Sequence, residues 1–338
     1  MSGLAPWQQR IYAQAVEAAE AGRLGHGLLW CGPAQLGKRA VAERLAQRML
    51  CLDRAAGDDA CGRCRSCQLF AQRHQRDPVE TRPDGSLAHP WGHSGHPDLV
   101  FIGHEINDKA RPPKARTEIV IEQVRNLSER MGLTPQFGPV QIAILDPADA
   151  INHNACNALL KTLEEPVPGR YLWLISSQPA RLSATIRSRC QRLDFRLPPH
   201  DEAVAWLRSQ GHADTLAAEA LDAARGHPGL ADEWLRNNGL ALRRDVASEL
   251  AAIARGQAAP MEVAQRWAAD QPETRLRHAA DLALAEAARL TDPRSARSLG
   301  LWFDQANRTR ELLRTTVRAD LALLELLSAW RGGEPGRR

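Results

Sequence analysis

The chain has 338 residues, of which 43% are hydrophobic and 25% charged, and its formal net charge is +4. This length exceeds what one hydrophobic core usually accommodates, so we expect two or three domains. No apolar run approaches the ~20 residues of a membrane span, and the first ten residues lack the basic start and apolar centre of a signal peptide. We therefore expect a cytoplasmic protein without membrane contact, whose mild basic charge permits contact with nucleic acid without indicating it.

A phosphate-binding loop (P-loop) occurs almost complete at residues 32–39, as GPAQLGKR. It follows an apolar run of strand length at 27–31 and precedes a helical apolar period, which is the order that the motif GxxxxGK[ST] requires. The residues retained for phosphate binding are Gly32, Gly37 and Lys38. Arg39 stands where a Ser or Thr hydroxyl would ligate Mg²⁺, and a guanidinium offers donors but no acceptor. The sequence therefore predicts the loop without its metal ligand.

Four of the seven cysteines follow the pattern C-x₉-C-x₂-C-x₂-C, in a polar stretch with no regular apolar period. They are Cys51, Cys61, Cys64 and Cys67. Four thiolates at this spacing can surround one tetrahedral Zn²⁺ with no open coordination position. Metal binding would supply the folding energy of the loop, on the order of 10 kcal/mol. We predict a structural zinc site, with reduced surface thiols as the alternative. The remaining cysteines, Cys31, Cys156 and Cys190, lie in apolar segments and are expected in the core.

Residues 74–96 are rich in Pro, Gly, His and charge, which predicts an exposed loop. His89, His93, His96 and His104 lack a helical or ribbon frame in the sequence. We therefore do not predict a second metal site from them.

An apolar strand at 140–145 ends in Asp146, in a pattern that resembles a Walker B strand, whose carboxylate organises Mg²⁺. The next residue in active ATPases of this kind is usually Glu, but here it is Pro147, which offers no base. A strand-end carboxylate that only starts the following turn is an equally good interpretation of Asp146.

Predicted strands at 98–102, 140–145 and 171–175 alternate with predicted helices up to Phe195. This alternation predicts an α/β fold with a parallel sheet and helices on both faces. After Pro198-Pro199 strand signals vanish and helical periods dominate. The predicted domains are a nucleotide-loop domain at 1–197 with its cysteine insert at 51–67, a helical lid at 198–240, a helical collar at 241–332, and a flexible tail at 333–338.

Several motifs together resemble the bacterial clamp-loader subunits of DNA polymerase III, which belong to the AAA+ class. They are the loop at 32–39, the four-cysteine insert, HPD at 96–98, NALLKTLEEP at 157–166 and SRC at 188–190. The resemblance covers the first two domains closely, whereas the collar is similar only in length and helicity. It implies an AAA+ P-loop domain with a zinc-binding insert, followed by a lid and an oligomerising collar.

The motor subunits of that family, gamma and tau, carry a complete P-loop, an Asp-Glu Walker B pair and a lid arginine. This chain has Arg39, Asp146-Pro147, and GHPG at 226–229 instead. It therefore resembles the stator of the loader, which does not hydrolyse ATP. The resemblance implies that ATP and Mg²⁺ are not bound productively, and that the chain has no ATPase or polymerase activity of its own within a DNA-directed DNA polymerase holoenzyme. The implied partners are the gamma and tau motor subunits, the delta subunit and, through the complex, the sliding clamp and primer-template DNA.

The resemblance also implies a role for Arg189, in the SRC motif, as an arginine finger that reaches ATP in a neighbouring motor subunit. Such fingers increase the rate of phosphoryl transfer by about 10³ to 10⁵. The alternative is that Arg187 and Arg189 only pair with surface carboxylates.

Two other functions are considered. A divergent motor subunit would use Lys38 and Asp146 with water-held Mg²⁺, which Arg39 and Pro147 oppose. A cysteine loop that binds DNA directly would need a local basic excess. The arginines of this loop are balanced by aspartates: Arg54, Arg63 and Arg65 against Asp53, Asp58 and Asp59.

Overall fold

The computed structural model describes residues 3–55, 57–83, 85–107, 114–313, 315 and 317–330. The chain divides into two compact units, one formed by Met1–Gly211 with Ala224–Leu230 and the other by His212–Ala223 with Ala231–Arg338. The division into domains at 198 and 241 stays a prediction, and the predicted tail at 333–338 lies outside the described residues. Within the described ranges no helix combines the length and the apolar character that a membrane span needs.

The first unit is built on five parallel strands in the order β4-β7-β8-β1-β9, beside two short antiparallel ribbons, β2-β3 and β5-β6. In chain order the strands are β1 Gly27–Cys31, β2 Arg73–His74, β3 His93–Ser94, β4 Leu99–Ile102, β5 Ile106–Asn107, β6 Lys114–Ala115, β7 Gln141–Leu145, β8 Arg170–Ser176 and β9 Gln191–Asp194. Since consecutive strands of the sheet are parallel, helices must cross over between them.

The helices of the described residues are α1 Pro6–Glu20, α2 Lys38–Leu50, α3 Arg65–Ala71, α4 Ile121–Gly132, α5 His153–Glu164, α6 Ala184–Arg189, α7 His200–Ser209, α8 Asp214–Ala223, α9 Pro228–Arg236, α10 Gly239–Ala254, α11 Pro260–Ala269, α12 Pro272–Ala287, α13 Pro293–Leu312 and α14 Ala319–Ser328.

The five-stranded sheet is covered on both faces, because successive side chains of a strand point to opposite sides. Leu28 and Trp30 of β1 pack in one core with buried residues of α1, α2 and α3. Leu29 and Cys31 pack in the other core with buried residues of α4, α5 and α6. The predicted parallel α/β fold, with helices on both faces, is confirmed. Its parallel order places the ends of β1 and β7, which carry the P-loop and Asp146, at the same edge of the sheet.

The second unit is helical, as the sequence predicts. Its core contains buried residues of α10 to α14, including Trp267 and Trp302, together with Trp330, which follows α14. The rings of Trp302 and Trp330 meet edge to face with centroids 4.6 Å apart. The indole N–H of Trp330 donates to the carbonyl oxygen of Leu250 at 2.9 Å, so the last described residue is fixed to α10.

Candidate functional site

The P-loop has the backbone shape that its glycines predict. Gly32 has φ 138°, and a side chain there would come within 2.3 Å of the carbonyl oxygen of Phe195. Gly37 has φ 80° and immediately precedes the first residue of α2. Both conformations favour glycine. The sequence therefore specifies a loop that wraps the start of α2, as in a working phosphate site.

The amino group of Lys38 binds its own loop. Nζ donates to the carbonyl oxygens of Gly32 at 2.7 Å and Pro33 at 2.6 Å, and lies 3.3 Å from the hydroxyl of Ser177. Burial lowers the pKa of Lys38 to about 8, against the opposing effect of Asp146. The amino group that would bind phosphate oxygens is therefore already hydrogen-bonded to uncharged oxygen atoms of the protein.

Neighbouring elements cover the loop. From α1, the indole of Trp7 and the amide of Gln8 donate to the carbonyl oxygen of Leu36 at 3.2 Å and 3.1 Å. A Cβ atom on Gly37 would lie 2.1 Å from Nε2 of Gln8, and one on Gly229 would lie 2.1 Å from the carbonyl oxygen of Gln35. Protein atoms therefore occupy space on both sides of the P-loop backbone.

Arg39 is buried, with 7% of its side chain exposed, and its guanidinium is surrounded by acceptors. Nε donates to Glu43 at 2.8 Å and Nη1 to the carbonyl oxygen of Ala88 at 3.1 Å. Nη2 lies 3.0 Å from Nδ1 of His89, and the guanidinium carbon lies 4.5 Å from the ring centre of Phe101. The residue at the metal-ligand position of the motif is thus a fixed internal cation.

Asp146 lies at the end of β7, as predicted, and faces this cation. Its Oδ2 is 3.6 Å from Nη1 of Arg39. Burial raises the pKa of Asp146, and the positive charges of Arg39, Arg82 and Lys38 oppose this effect. A carboxylate that would help to hold Mg²⁺ therefore meets a guanidinium, and Pro147 follows it where a catalytic Glu would stand.

The prediction that residues 74–96 form an exposed loop is wrong for the face of this segment that meets α2. Four polar residues of the segment are buried, with between 1% and 7% of each exposed: Glu80, His89, His93 and His96. Burial, reinforced by the positive charge of Arg39, lowers the pKa of His89 to about 2, so its imidazole is neutral. Sequence reasoning missed the burial of these residues because polar composition predicts exposure, whereas here the polar groups satisfy one another.

The predicted cysteine cluster forms. The sulfur atoms of Cys51, Cys61, Cys64 and Cys67 lie within 4.8 Å of one another. Sγ of Cys51 is 3.9 Å from Sγ of Cys64, close to the ~3.8 Å that two thiolates bound tetrahedrally at 2.3 Å would show. Backbone N–H groups of Cys61 and Cys64 donate to the sulfurs of Cys51 and Cys61, each at 3.3 Å. This donor set fits a metal ion such as zinc.

Two of the three arginines of the cysteine insert pair with carboxylates, whereas the guanidinium carbon of Arg65 lies 5.3 Å from the ring centre of Phe137. Arg63 lies 3.4 Å from Asp53, and Arg54 lies 3.8 Å from Glu20. Arg44 of α2 lies 2.5 Å from Asp59. These pairs reduce the positive charge that the insert could present to DNA.

Arg189 ends α6 and is partly exposed. Its Nη2 pairs with Glu164 of the NALLKTLEEP segment at 2.7 Å, with the two side chains 37% and 47% exposed. The next strand, β9, starts at Gln191 and runs parallel to β1, with Gln191 beside Leu28 and Asp194 beside Cys31. Arg189 and the P-loop are therefore at opposite ends of β1, a separation of ~16 Å for five residues. Arg189 cannot serve the P-loop of its own chain.

Comparisons with known proteins identify relatives of this chain. A family model described as "DNA polymerase III, delta subunit" matches residues 7–199. A curated DNA polymerase III subunit delta' from Pseudomonas aeruginosa is 34% identical over 269 residues, which are 79% of this chain and 72% of the relative. The subunits delta' of Haemophilus influenzae and Escherichia coli are 32% and 29% identical, over 72% and 68% of this chain and 65% and 62% of the relatives. The chain thus spans between about three fifths and three quarters of the length of these relatives.

The resemblance to clamp-loader subunits that the sequence motifs indicated is confirmed by these similarities. The relatives named here are delta' subunits, which agrees with the departures of this chain from the motor-subunit motifs at Arg39 and Pro147. The chain belongs to the DNA polymerase III delta subunit family, in which the relatives named here are delta-prime subunits.

Proposed function

We propose that this chain is the non-hydrolysing stator of the DNA polymerase III clamp loader. The pairing of Arg39 with Asp146 supports this most directly, because a permanent cation lies between the first residues of α2 and the Walker B carboxylate. In a working P-loop that region holds Mg²⁺. A guanidinium there repels the metal and cannot ligate it.

The covered loop supports the same proposal. Nucleotide phosphates would have to displace Lys38 from two carbonyl oxygens and compete with Gln8 beside Gly37. Each displaced contact removes free energy from binding, so ATP with Mg²⁺ would not be held productively.

We further propose that Arg189 acts as an arginine finger in a neighbouring motor subunit. Its place at the far end of β1 from the P-loop supports an action in trans. The pair with Glu164 is exposed, and such pairs contribute only about 0–1 kcal/mol. Arg189 can therefore exchange that carboxylate for the phosphates of a neighbour at little cost, where it would neutralise charge in the transition state.

In this proposal the chain assembles with the gamma and tau motor subunits and the delta subunit in the cytoplasm. The complex then places the sliding clamp on primer-template DNA during replication. The cysteine cluster would hold one structural Zn²⁺ through Cys51, Cys61, Cys64 and Cys67. The ion would supply folding energy to the insert and take no part in catalysis.

ATP turnover by the isolated chain tests the proposal. The wild type and Lys38→Ala are compared with and without clamp and primed DNA. We expect no turnover by the wild type above that of Lys38→Ala. Turnover that disappears with Lys38 would contradict the stator and support the divergent motor subunit.

A further inference from the structure

We propose that Glu80, His89 and His93 form a second divalent-metal site, suited to Zn²⁺, on the segment that covers α2. One carboxylate oxygen and two imidazole nitrogens of these residues lie within 4.8 Å of one another. Their side chains are 5%, 2% and 8% exposed. Two histidines and a glutamate form a ligand set that zinc uses in proteins, and three protein ligands leave a fourth position for water.

The backbone of the segment fixes all three ligands. The ribbon β2-β3 places His93 opposite His74. A bridge between Thr81 and Leu87, with the N–H of Ala88 donating to the carbonyl oxygen of Glu80 at 2.9 Å, brings Glu80 next to His89. A turn closed by the N–H of Gly92 and the carbonyl oxygen of His89, also 2.9 Å apart, sets the two histidines on one side. The backbone ribbon, bridge and turn that hold these histidines, which the sequence did not indicate, are therefore present in the structure.

The donor atoms converge on one carboxylate oxygen. Oε2 of Glu80 is 2.6 Å from Nε2 of His93 and 3.4 Å from Nε2 of His89. The imidazole centroids are 4.0 Å apart. Ligand atoms around a tetrahedral Zn²⁺ lie ~3.3 Å apart, so the contact between Glu80 and His89 already fits and that to His93 must lengthen by about 0.7 Å. Oε1 of Glu80 accepts from Arg76 at 2.8 Å, which orients Oε2 towards the two imidazoles.

Arg39 lowers the affinity of this site for metal, because it already binds His89. Its Nη2 donates to Nδ1 of His89 at 3.0 Å, so Nε2 of His89 carries the ring proton and faces Glu80. A metal at Nε2 of His89 requires that ring to carry its proton on Nδ1 instead. Nη2 of Arg39 must then give up its acceptor, while its Nε and Nη1 keep Glu43 and the carbonyl oxygen of Ala88. We therefore expect weaker binding than at the four thiolates.

Cobalt titration of the untagged full chain tests this proposal, because Co²⁺ reports its ligands. The first equivalent, at the cysteines, should give thiolate-to-cobalt charge-transfer absorption. The second should add only the weaker visible bands of a nitrogen and oxygen site. Zinc added afterwards, followed by dialysis and elemental analysis, should give close to two metals per chain for the wild type.

Three variants locate the second metal. His93→Ala and the isosteric Glu80→Gln should weaken the second equivalent at least tenfold and leave the first unchanged. His74→Ala is the matched control, because His74 lies opposite His93 in the ribbon and is not one of the three ligands. A wild type that binds one metal overturns the proposal without any variant. Three results of the cobalt titration would also overturn it. The second equivalent of cobalt could increase the charge-transfer band, bind unchanged in both ligand variants, or bind as weakly in His74→Ala as in those variants.

Discussion

Arg39 and Asp146 face each other where the P-loop helix meets the end of β7, with Nη1 3.6 Å from Oδ2 and side chains that are 7% and 11% exposed. Glu43 accepts from the same guanidinium and also pairs with Arg73 at 2.9 Å. In a working P-loop site, the cation that neutralises the Walker B carboxylate is Mg²⁺, which binds together with the nucleotide. Here the cation belongs to the chain, so the buried carboxylates are compensated at all times.

Arg39→Ala should destabilise the first unit by about 3–5 kcal/mol, because it removes the main partner of two buried carboxylates. Arg44→Ala is the matched control on the same helix, since its pair with Asp59 is 35% and 40% exposed. We expect that change to cost less than about 1 kcal/mol. Hydrogen exchange of peptides from β1 and β7 in increasing urea measures the difference. Equal effects of the two substitutions would mean that the buried cluster contributes no more than a surface pair.

Arg189→Ala should leave the fold intact and lower ATP turnover of the assembled loader. The motor site next to this chain would lose about 10³-fold or more in rate if the finger acts there. Arg187→Ala, an exposed arginine of the same helix, is the control and should not change turnover. Steady-state turnover with clamp and primed DNA is the measurement. Normal turnover by an assembled complex that contains Arg189→Ala would rule out the finger.

Cys64→Ser should remove the zinc of the purified chain, which we expect at about one per chain, because three thiolates hold the ion far less tightly than four. Loss of the ion should also unfold the insert, which has little apolar core. Cys156→Ser is the control, because Cys156 is buried in the sheet core, where its sulfur lies 3.5 Å from the hydroxyl of Ser183. Elemental analysis measures the zinc content, and the protease sensitivity of the insert measures its unfolding. A wild type without zinc, or a Cys64→Ser chain that retains it, would contradict the site.

The helical unit should lose stability as the pH falls below 6.5 because of His278. This side chain is fully buried against Trp234, with ring centroids 4.8 Å apart. Burial, and then the charges of Arg277, Arg243 and Arg275, lower the pKa of His278 from 6.5 to about 3. The unfolded chain therefore takes up a proton that the folded chain rejects, and stability falls by at most about 1.4 kcal/mol per pH unit.

His278→Phe keeps an aromatic ring against Trp234 and removes this titration. Urea unfolding of the helical unit at pH 7.5, 6 and 5 should show a steeper loss for the wild type than for His278→Phe. Parallel losses in the two proteins would show that another group controls the acid sensitivity.

The sequence by itself was sufficient for features that depend on neighbouring residues. Apolar runs alternating with helical periods predicted the parallel sheet, because each period reflects which side of an element is buried. The spacing of Cys51, Cys61, Cys64 and Cys67 predicted their convergence, since short turns bring nearby thiols together. Arg39 and Pro147 showed that a metal ligand and a base are missing, which is a matter of side-chain chemistry alone.

Only the tertiary structure decided what fills the place of those missing groups. Arg39 pairs with Asp146 because parallel strands bring the ends of β1 and β7 to one edge. His89 reaches Arg39 because a ribbon folds the segment from His74 to Ser94 over α2. No local pattern encodes these partners. Burying a charge is costly unless an opposite charge or a hydrogen-bond partner lies within contact distance, and the packing of distant segments alone determines which partner that is.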